Sequence, residues 1–418
     1  MGDLLTIQTN MMQTTAIAII MLYVGKFLRK KVEFFERFCI PAPVIGGFLF
    51  ALIHLLIKVG GIATFEMDTT LKGPFMMVFF TTIGLGANLE TLKKGGKGFL
   101  IFLLISVVLV AGQNIVGMGL AKVIGQNSLL GLACGSITMV GGHGTAGAWG
   151  PTLEEMGLQS GEVVALAAAT FGVIMGSLIG GPVGSSLIKK HNLKPSKEFA
   201  MDTEISEEGV AREPIGEKRG NVPAQLTAAD FLKVLCVIFV SVGLGAILKN
   251  FLAEHISIAG TPLNLPEYVA AMIFAGVFVN TLGKKEIFAI DQRANDICGD
   301  IGLNIFLVIA LITLDLTQLK AVAGPMLIIL FAQTIFMAFF AYVVCFIVMG
   351  KDYDAAVLSG GMCGFGMGAT YNALANMDSI TEEYGPAPKA YFILPMVGAF
   401  AIDIINVLII TGFAQIKF

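Results

Sequence analysis

The chain has 418 residues, 56% of them hydrophobic and only 14% charged, with a formal net charge of −3. Soluble domains carry about a quarter charged residues, so a soluble fold would leave most of this apolar surface uncovered. A chain this close to neutral has no electrostatic footprint for nucleic acid. The six cysteines (Cys39, Cys134, Cys236, Cys298, Cys345 and Cys363) contain no CxxC pair and lie mostly in apolar runs, which argues against a disulfide frame or a thiolate metal site.

About 20 apolar residues cross a hydrocarbon core of roughly 30 Å. Ten such spans are read in chain order, at residues 9–28, 39–58, 73–91, 98–122, 161–188, 228–249, 266–283, 299–319, 322–349 and 390–413. The first follows Asp3 rather than a basic stretch and is trailed by Arg29-Lys30-Lys31. That is the pattern of a retained span, not of a cleaved signal.

Cytoplasmic loops collect Lys and Arg. With the N-terminus outside, most of the 27 basic residues fall inside, among them Lys26, Arg29, Lys30, Lys31, Arg37, Lys93, Lys94, Lys97, Lys189, Lys190, Lys284 and Lys285. Only Lys58, Lys72, Lys122, Lys249, Lys320 and Lys417 are left on the other face. The expectation is a multi-pass protein of the cytoplasmic (inner) membrane, surrounded by lipid, with both termini on the non-cytoplasmic side. The lone Trp149 and Tyr384 read as markers of the membrane interface.

The one long polar stretch, about Lys189 to Ala228, reads as a flexible cytoplasmic linker. It divides the chain into a first half (1–189), a linker (190–226) and a second half (227–418), with five spans in each half. The halves share a motif. Gly135, Gly141, Thr145 and Ala148 fall on Gly360, Gly366, Thr370 and Ala373 at one constant offset. Each copy follows a span that carries a glutamine, Gln113 or Gln333. An odd number of spans per half forces the second half to enter the membrane from the opposite side. Inverted repeats with interrupted segments at matching positions point to an alternating-access transporter.

The interrupted segments are about 128–149 and 353–377. They are too rich in glycine and too polar for ordinary lipid-facing helices. Non-helical backbone survives at membrane depth only where protein or a water-filled cavity surrounds it, so both segments read as re-entrant hairpins. A turn there frees N–H groups at the start of a half-helix, where the dipole favours an anion, while freed carbonyls and hydroxyls suit a hard cation such as Na⁺. By contrast, Gly172, Gly176, Gly180 and Gly184 recur every four residues and read as one smooth packing face.

No Arg or Lys sits mid-span, so a bound anion must be held by helix starts, backbone N–H groups and hydroxyls. Asp403 lies inside the tenth span and is a functional candidate, because a carboxylate at that depth is costly. It suits Na⁺ or a substrate ammonium, and Asn406 is on the same helix face. Asp315 lies nearer a span end and reads as solvated or structural. Gln113, Asn114 and Gln333 are mid-span, where interhelical hydrogen bonding is the plain alternative to a site role. The candidate substrate residues are Ser136, Thr138, Gly141, Gly142, His143, Gly144, Thr145, Gly366, Gly368, Thr370, Asn372 and Asp403. The candidate sodium residues are Asn88, Asn114, Gly360, Cys363, Asp403 and Asn406.

Nine stretches taken in order carry a resemblance: Ile40–Gly47, Thr82–Asn88, Gly135–Thr145, Ala169–Gly172, Gly180–Pro182, Gln333–Ala338, Gly350–Val357, Cys363–Thr370 and Pro395–Phe400. Together they resemble the bacterial sodium/glutamate symporters over nearly the whole chain outside the linker. The resemblance implies L-glutamate uptake driven by co-transported Na⁺ and no prosthetic group. It also implies an all-α fold of two inverted five-helix repeats, a homodimer, and a mobile core that slides against a dimerising scaffold in an elevator motion. Two departures stand out, Ala146-Gly147-Ala148 after the first loop and Tyr371 after the second. A sodium-coupled di- or tricarboxylate carrier of the same fold is the nearest alternative. A channel fits less well, because buried loops give no continuous pore. An enzyme fits least, because His143 has no nucleophile partner at a recognisable spacing.

Overall fold

Local chemistry sets where the helices begin and end. Helix α1 (Met11–Lys31) starts at Asn10, whose side chain accepts from the Gln13 N–H while the Gln13 side chain accepts from the Asn10 N–H. That reciprocal pair satisfies two otherwise orphaned donors. Arg29, Lys30 and Lys31 fill the last turn, at the negative end of the helix dipole. The computed structural model describes residues 5–87, 96–195, 225–255, 257–258, 261–262, 266–284, 289–368 and 370–416. Most of the linker, and Asn88 among the candidate residues, lie outside them.

After a short α2 (Glu33–Arg37) come α3 (Ala42–Val59) and α4 (Lys72–Gly86). Helices α5 (Gly96–Val123), α6 (Ser128–Ala133), α7 (Gly142–Glu155) and α8 (Gly161–His191) complete the first half. The second half has α9 (Ala228–His255), α10 (Glu267–Asn280), α11 (Gln292–Ile312) and α12 (Ala323–Phe339). Helix α12 runs on through a π-helical turn (Phe340–Cys345) into Phe346–Val348. The chain ends with α13 (Tyr353–Phe365), α14 (Thr370–Tyr384), α15 (Pro388–Met396), a second π-helical turn (Val397–Ala401) and α16 (Ile402–Ala414).

The fold is helical with two small additions that periodicity does not announce. Strand β1 (Leu5–Thr9) pairs in parallel with β2 (Ala63–Met67), and β3 (Ser257–Ile258) pairs with β4 (Thr261–Pro262). The first pairing ties the chain start to the loop after α3. His54 secures that loop by accepting from the Phe65 N–H at 3.2 Å. Among the described residues, seven helices are long and apolar enough to cross a membrane: α1, α3, α5, α8, α9, α11 and α12 with its extension. The other three expected spans contain shorter helices among the described residues. The described parts of the third and seventh are the 15-residue α4 and the 14-residue α10. The tenth is broken by the π turn, where Pro395 has no N–H to give and Gly398 adds no side-chain restraint.

The helices sort into two packed groups. One contains α1, α3 and α4 with α9, α10 and α11, and the other contains α5–α8 with α12–α16. Glycines set the closest contacts within each group. At Gly25 of α1 an added Cβ would run into the Ala42 carbonyl of α3, and at Gly117 of α5 into the Gly131 carbonyl of α6. The four-spaced glycines of α8 form a smooth face, with Gly172, Gly176 and Gly180 set against the carbonyls of Met367, Cys363 and Gly360. The seam between the groups is apolar. Val44 and Ile45 of α3 and Phe306 and Leu311 of α11 meet Ala146 of α7 and Leu166, Ala169 and Val173 of α8. Among the described residues, one ion pair crosses between the groups, Lys72 of α4 with Glu162 of α8 at 2.8 Å.

Candidate functional site

Both glycine-rich segments break their helices in the same way. Helix α6 ends at Ala133, residues 134–140 turn, and α7 starts at Gly142. Helix α13 ends at Phe365, and α14 starts at Thr370. Gly142 has φ +59°, a left-handed conformation that glycine adopts at no steric cost. Its Cα also faces the Gly368 carbonyl so closely that a Cβ would overlap it. The two breaks therefore touch, Gly142 of one against Gly368 of the other.

A cavity of about 980 Å³ opens at this junction. Its inner wall is Val140, Gly141, Gly142, His143, Gly144 and Thr145 from the first break, with Gly368, Thr370 and Tyr371 from the second. Asp403 and Gly398, and Asp300, Asn304 and Leu307 of α11, line it as well. The mouth lies at the C-terminal end of α1, where Lys26, Arg29 and Lys30 line it. Thus eight of the candidate substrate residues (Gly141, Gly142, His143, Gly144, Thr145, Gly368, Thr370 and Asp403) share one cavity.

The electrostatics follow from the helix starts. Helices α7 and α14 both begin at the cavity, so the positive ends of two dipoles and their unsatisfied N–H groups converge on it. His143 Nε2 is 3.0 Å from the Thr170 hydroxyl of α8, which fixes the ring at the wall. The Thr370 hydroxyl donates to the Gly398 carbonyl at 2.9 Å. That carbonyl belongs to the π turn, which widens the helix and loosens its own bonding, a feature frequent at functional sites. Asp403 follows in the first turn of α16 and makes no hydrogen bond or ion pair with any described residue.

The remaining candidates sit behind the wall. Ser136 is fully buried: its N–H donates to Asn114 Oδ1 at 2.8 Å and its carbonyl accepts from Asn406 Nδ2 at 3.1 Å. The Ser136 hydroxyl and the Asn406 Oδ1 are buried with no protein partner. Thr138 donates to the Ala133 carbonyl at 2.8 Å, and Gly366 accepts from Gln113 Nε2 at 2.6 Å. Gln333 in turn donates to the Gln113 carbonyl at 2.7 Å, so both mid-span glutamines are interhelical braces. Asn372 donates to the Val173 carbonyl at 3.0 Å, and the Gly360 carbonyl accepts from Asn376 at 3.3 Å. Cys363 is buried beside Ser359, and all six cysteines are free thiols.

Sequence reasoning missed part of the site. Asp300 and Asn304 reach the cavity from α11, and Lys26, Arg29 and Lys30 from α1. Their i, i+3, i+4 spacing is visible in the sequence, but which helix face meets the cavity is not. Trp149 is 2% exposed inside α7 and so does not present its ring outward as an interface marker would, because the helix that carries it is packed on α8. Asp315 pairs with Lys58 at 2.6 Å and caps the turn at Thr317, a structural role.

The family described as sodium/glutamate symporter matches residues 7–386. The chain is 40% identical over 398 residues, 95% of each chain, to the sodium/glutamate symporter of Escherichia coli (strain K12), and equally similar to that of Shigella flexneri. It is 42% identical over 398 residues, 94% of each chain, to the sodium/glutamate symporter of Haemophilus influenzae. With its touching helix breaks and its set of apolar spans, the chain is a multi-pass membrane protein that belongs to the sodium/glutamate symporter family.

Proposed function

We propose that this protein takes up L-glutamate with Na⁺ by alternating access. The observation that carries this reading is 40–42% identity, over 94–95% of both chains, to proteins named sodium/glutamate symporter. The cavity supports it. Two helix N-termini and the hydroxyls of Thr145 and Thr370 suit the substrate carboxylates, with His143 alongside. Asp403, uncompensated by any described residue, receives the ammonium.

Sodium is cargo, and hard oxygen donors suit it. The unpartnered Ser136 hydroxyl and Asn406 Oδ1 lie behind the first break, where the Ser136 N–H donates to Asn114 and its carbonyl accepts from Asn406, three residues along α16 from Asp403. An unsatisfied buried polar atom costs about 1–3 kcal/mol, and a cation held there would remove that cost. Gly360 and Cys363 mark the corresponding place on the second break. Bound Na⁺ fixes the first break in the geometry that accepts glutamate, and by reciprocity glutamate tightens Na⁺.

The helix breaks act as re-entrant hairpins, one from each of two inverted repeats at 1–189 and 227–418. The group of α5–α8 and α12–α16 is the moving core, and α1, α3, α4 and α9–α11 are the scaffold of a homodimer. The apolar, alanine-rich seam suits sliding, since no hydrogen-bond ladder need break. The Lys72–Glu162 pair is the exception and opens when the core moves. By the basic-residue rule, the mouth at Lys26, Arg29 and Lys30 is cytoplasmic, so this form faces inward, with both termini outside the bacterial inner membrane. The test is accumulation of labelled L-glutamate in proteoliposomes under an inward Na⁺ gradient. Uptake with Na⁺, absent with an equal K⁺ or proton gradient, is the expected result. Equal uptake under all three gradients would overturn it.

A further inference from the structure

Helix α1 presents an unusual stripe to the cavity. Tyr23, Lys26, Phe27 and Lys30 follow the i, i+3, i+4, i+7 spacing of one helix face, with Arg29 beside them, and all five line the mouth. Lys26 stacks over the Tyr23 ring at 5.0 Å. None of Lys26, Arg29 and Lys30 makes an ion pair with a described residue. Like charges at this spacing destabilise a helix by a few tenths of a kcal/mol per pair. Membrane orientation requires basic residues at this helix end but not on the face that meets the cavity. Lys31, in the same turn, serves orientation and does not line the cavity.

The stripe faces carboxylates as well. Glu36 of α2 and Asp300 of α11 line the same cavity, also without ion pairs among the described residues. A rim that keeps both signs apart and unpaired matches a ligand that carries both, and an amino dicarboxylate does.

We infer that Lys26, Arg29 and Lys30 form an exit-side subsite that binds the substrate carboxylates after they leave the helix breaks, with Asp300 accepting the ammonium. This rests on the glutamate-symport reading and on the mouth being cytoplasmic. The stripe belongs to the scaffold group, whereas the breaks belong to the other. The subsite therefore acts only in the form in which the breaks face this mouth, and its effect is confined to one side of the membrane.

The experiment compares right-side-out and inside-out membrane vesicles, with tracer L-glutamate and Na⁺, for wild type, the triple variant Lys26→Gln/Arg29→Gln/Lys30→Gln, Asp300→Asn and Lys31→Gln. One unit charge at 4 Å in a watery site is worth about fivefold in affinity. The triple variant is expected to raise KM at the cytoplasmic face about tenfold or more while the external KM stays unchanged. Raising the ionic strength should remove most of the wild-type advantage. Asp300→Asn should raise the cytoplasmic KM for glutamate and leave that for glutarate, which lacks the ammonium, as it is. Lys31→Gln should behave as wild type. An unchanged cytoplasmic KM in the triple variant, an equal rise with Lys31→Gln, or an equal rise at both faces would overturn the subsite. Absence of Na⁺-dependent glutamate flux in wild type would instead overturn the symport reading. Size-exclusion profiles that match wild type establish that the variants fold.

Discussion

Gly142 is where the two helix breaks meet, and replacing it by alanine tests that junction. The residue sits at φ +59°, where an added Cβ costs roughly 1–2 kcal/mol. The Cβ would also overlap the Gly368 carbonyl, so the two breaks must part by about 1 Å to reach the 3.4 Å of ordinary contact. Overpacking of this kind costs roughly 1–3 kcal/mol, which gives a combined loss of about 2–5 kcal/mol. A 1 Å misplacement at a binding site costs on the order of a hundredfold in rate. Gly142→Ala should therefore lower the thermal midpoint in detergent and reduce glutamate uptake by one to two orders of magnitude. Gly119→Ala is the matched control, since it lies in α5 with nothing within 4 Å of where its Cβ would stand, and it should leave both unchanged or slightly improved. Wild-type uptake and melting in Gly142→Ala would refute the contact between the breaks.

Three further outcomes are expected. Lys72 and Glu162 form an ion pair of low exposure, 17% and 15%, so Glu162→Gln leaves a lysine without its partner and should cost about 1–3 kcal/mol. The exchange Lys72→Glu/Glu162→Lys should recover much of that in a double-mutant cycle, and a purely additive cycle would exclude the pairing. The Arg293 side chain beside Asp291, aided by backbone N–H groups, holds this carboxyl below its ordinary value of 3.8. A depressed carboxyl stabilises the fold above its unfolded value and loses that stabilisation as pH falls through the folded one. Asp291→Ala should cost about 0.5–2 kcal/mol at neutral pH, and melts taken from pH 7 to below pH 4 should show the gap to wild type closing. Asp403→Asn should reduce glutamate transport at least tenfold, on the order expected for an unpaired ammonium, without a change in melting. Retained transport at the wild-type rate would remove Asp403 from the site.

Hydropathy makes the long spans legible because a lipid-crossing helix must be apolar all along. It does not tell which side of an apolar helix faces lipid and which faces protein. That is why Trp149 proves buried and why the α1 stripe is not evident from sequence. The glycine density around Gly142 is readable as a break, although α7 itself begins at Gly142 and carries Gly144, Gly147 and Gly150 within it. The contact of Gly142 with Gly368 is not, because it joins residues far apart in sequence. Asp403 is conspicuous as a lone carboxylate in an apolar run, but the π turn before it emerges only from how Pro395 and Gly398 relax within the packed group. The pairing of Leu5–Thr9 with Ala63–Met67 is equally hidden, for it depends on α1 and α3 packing side by side to bring the two strands together.

The central claim is coupling, and dual-label flux addresses it most directly. Radioactive Na⁺ and labelled L-glutamate would be followed together in the same proteoliposomes, each with the other present or withheld. Entry of each only in the presence of the other, in a fixed ratio, is the result expected of a sodium/glutamate symporter. Glutamate entry that continues at the same rate without Na⁺ entry would contradict it.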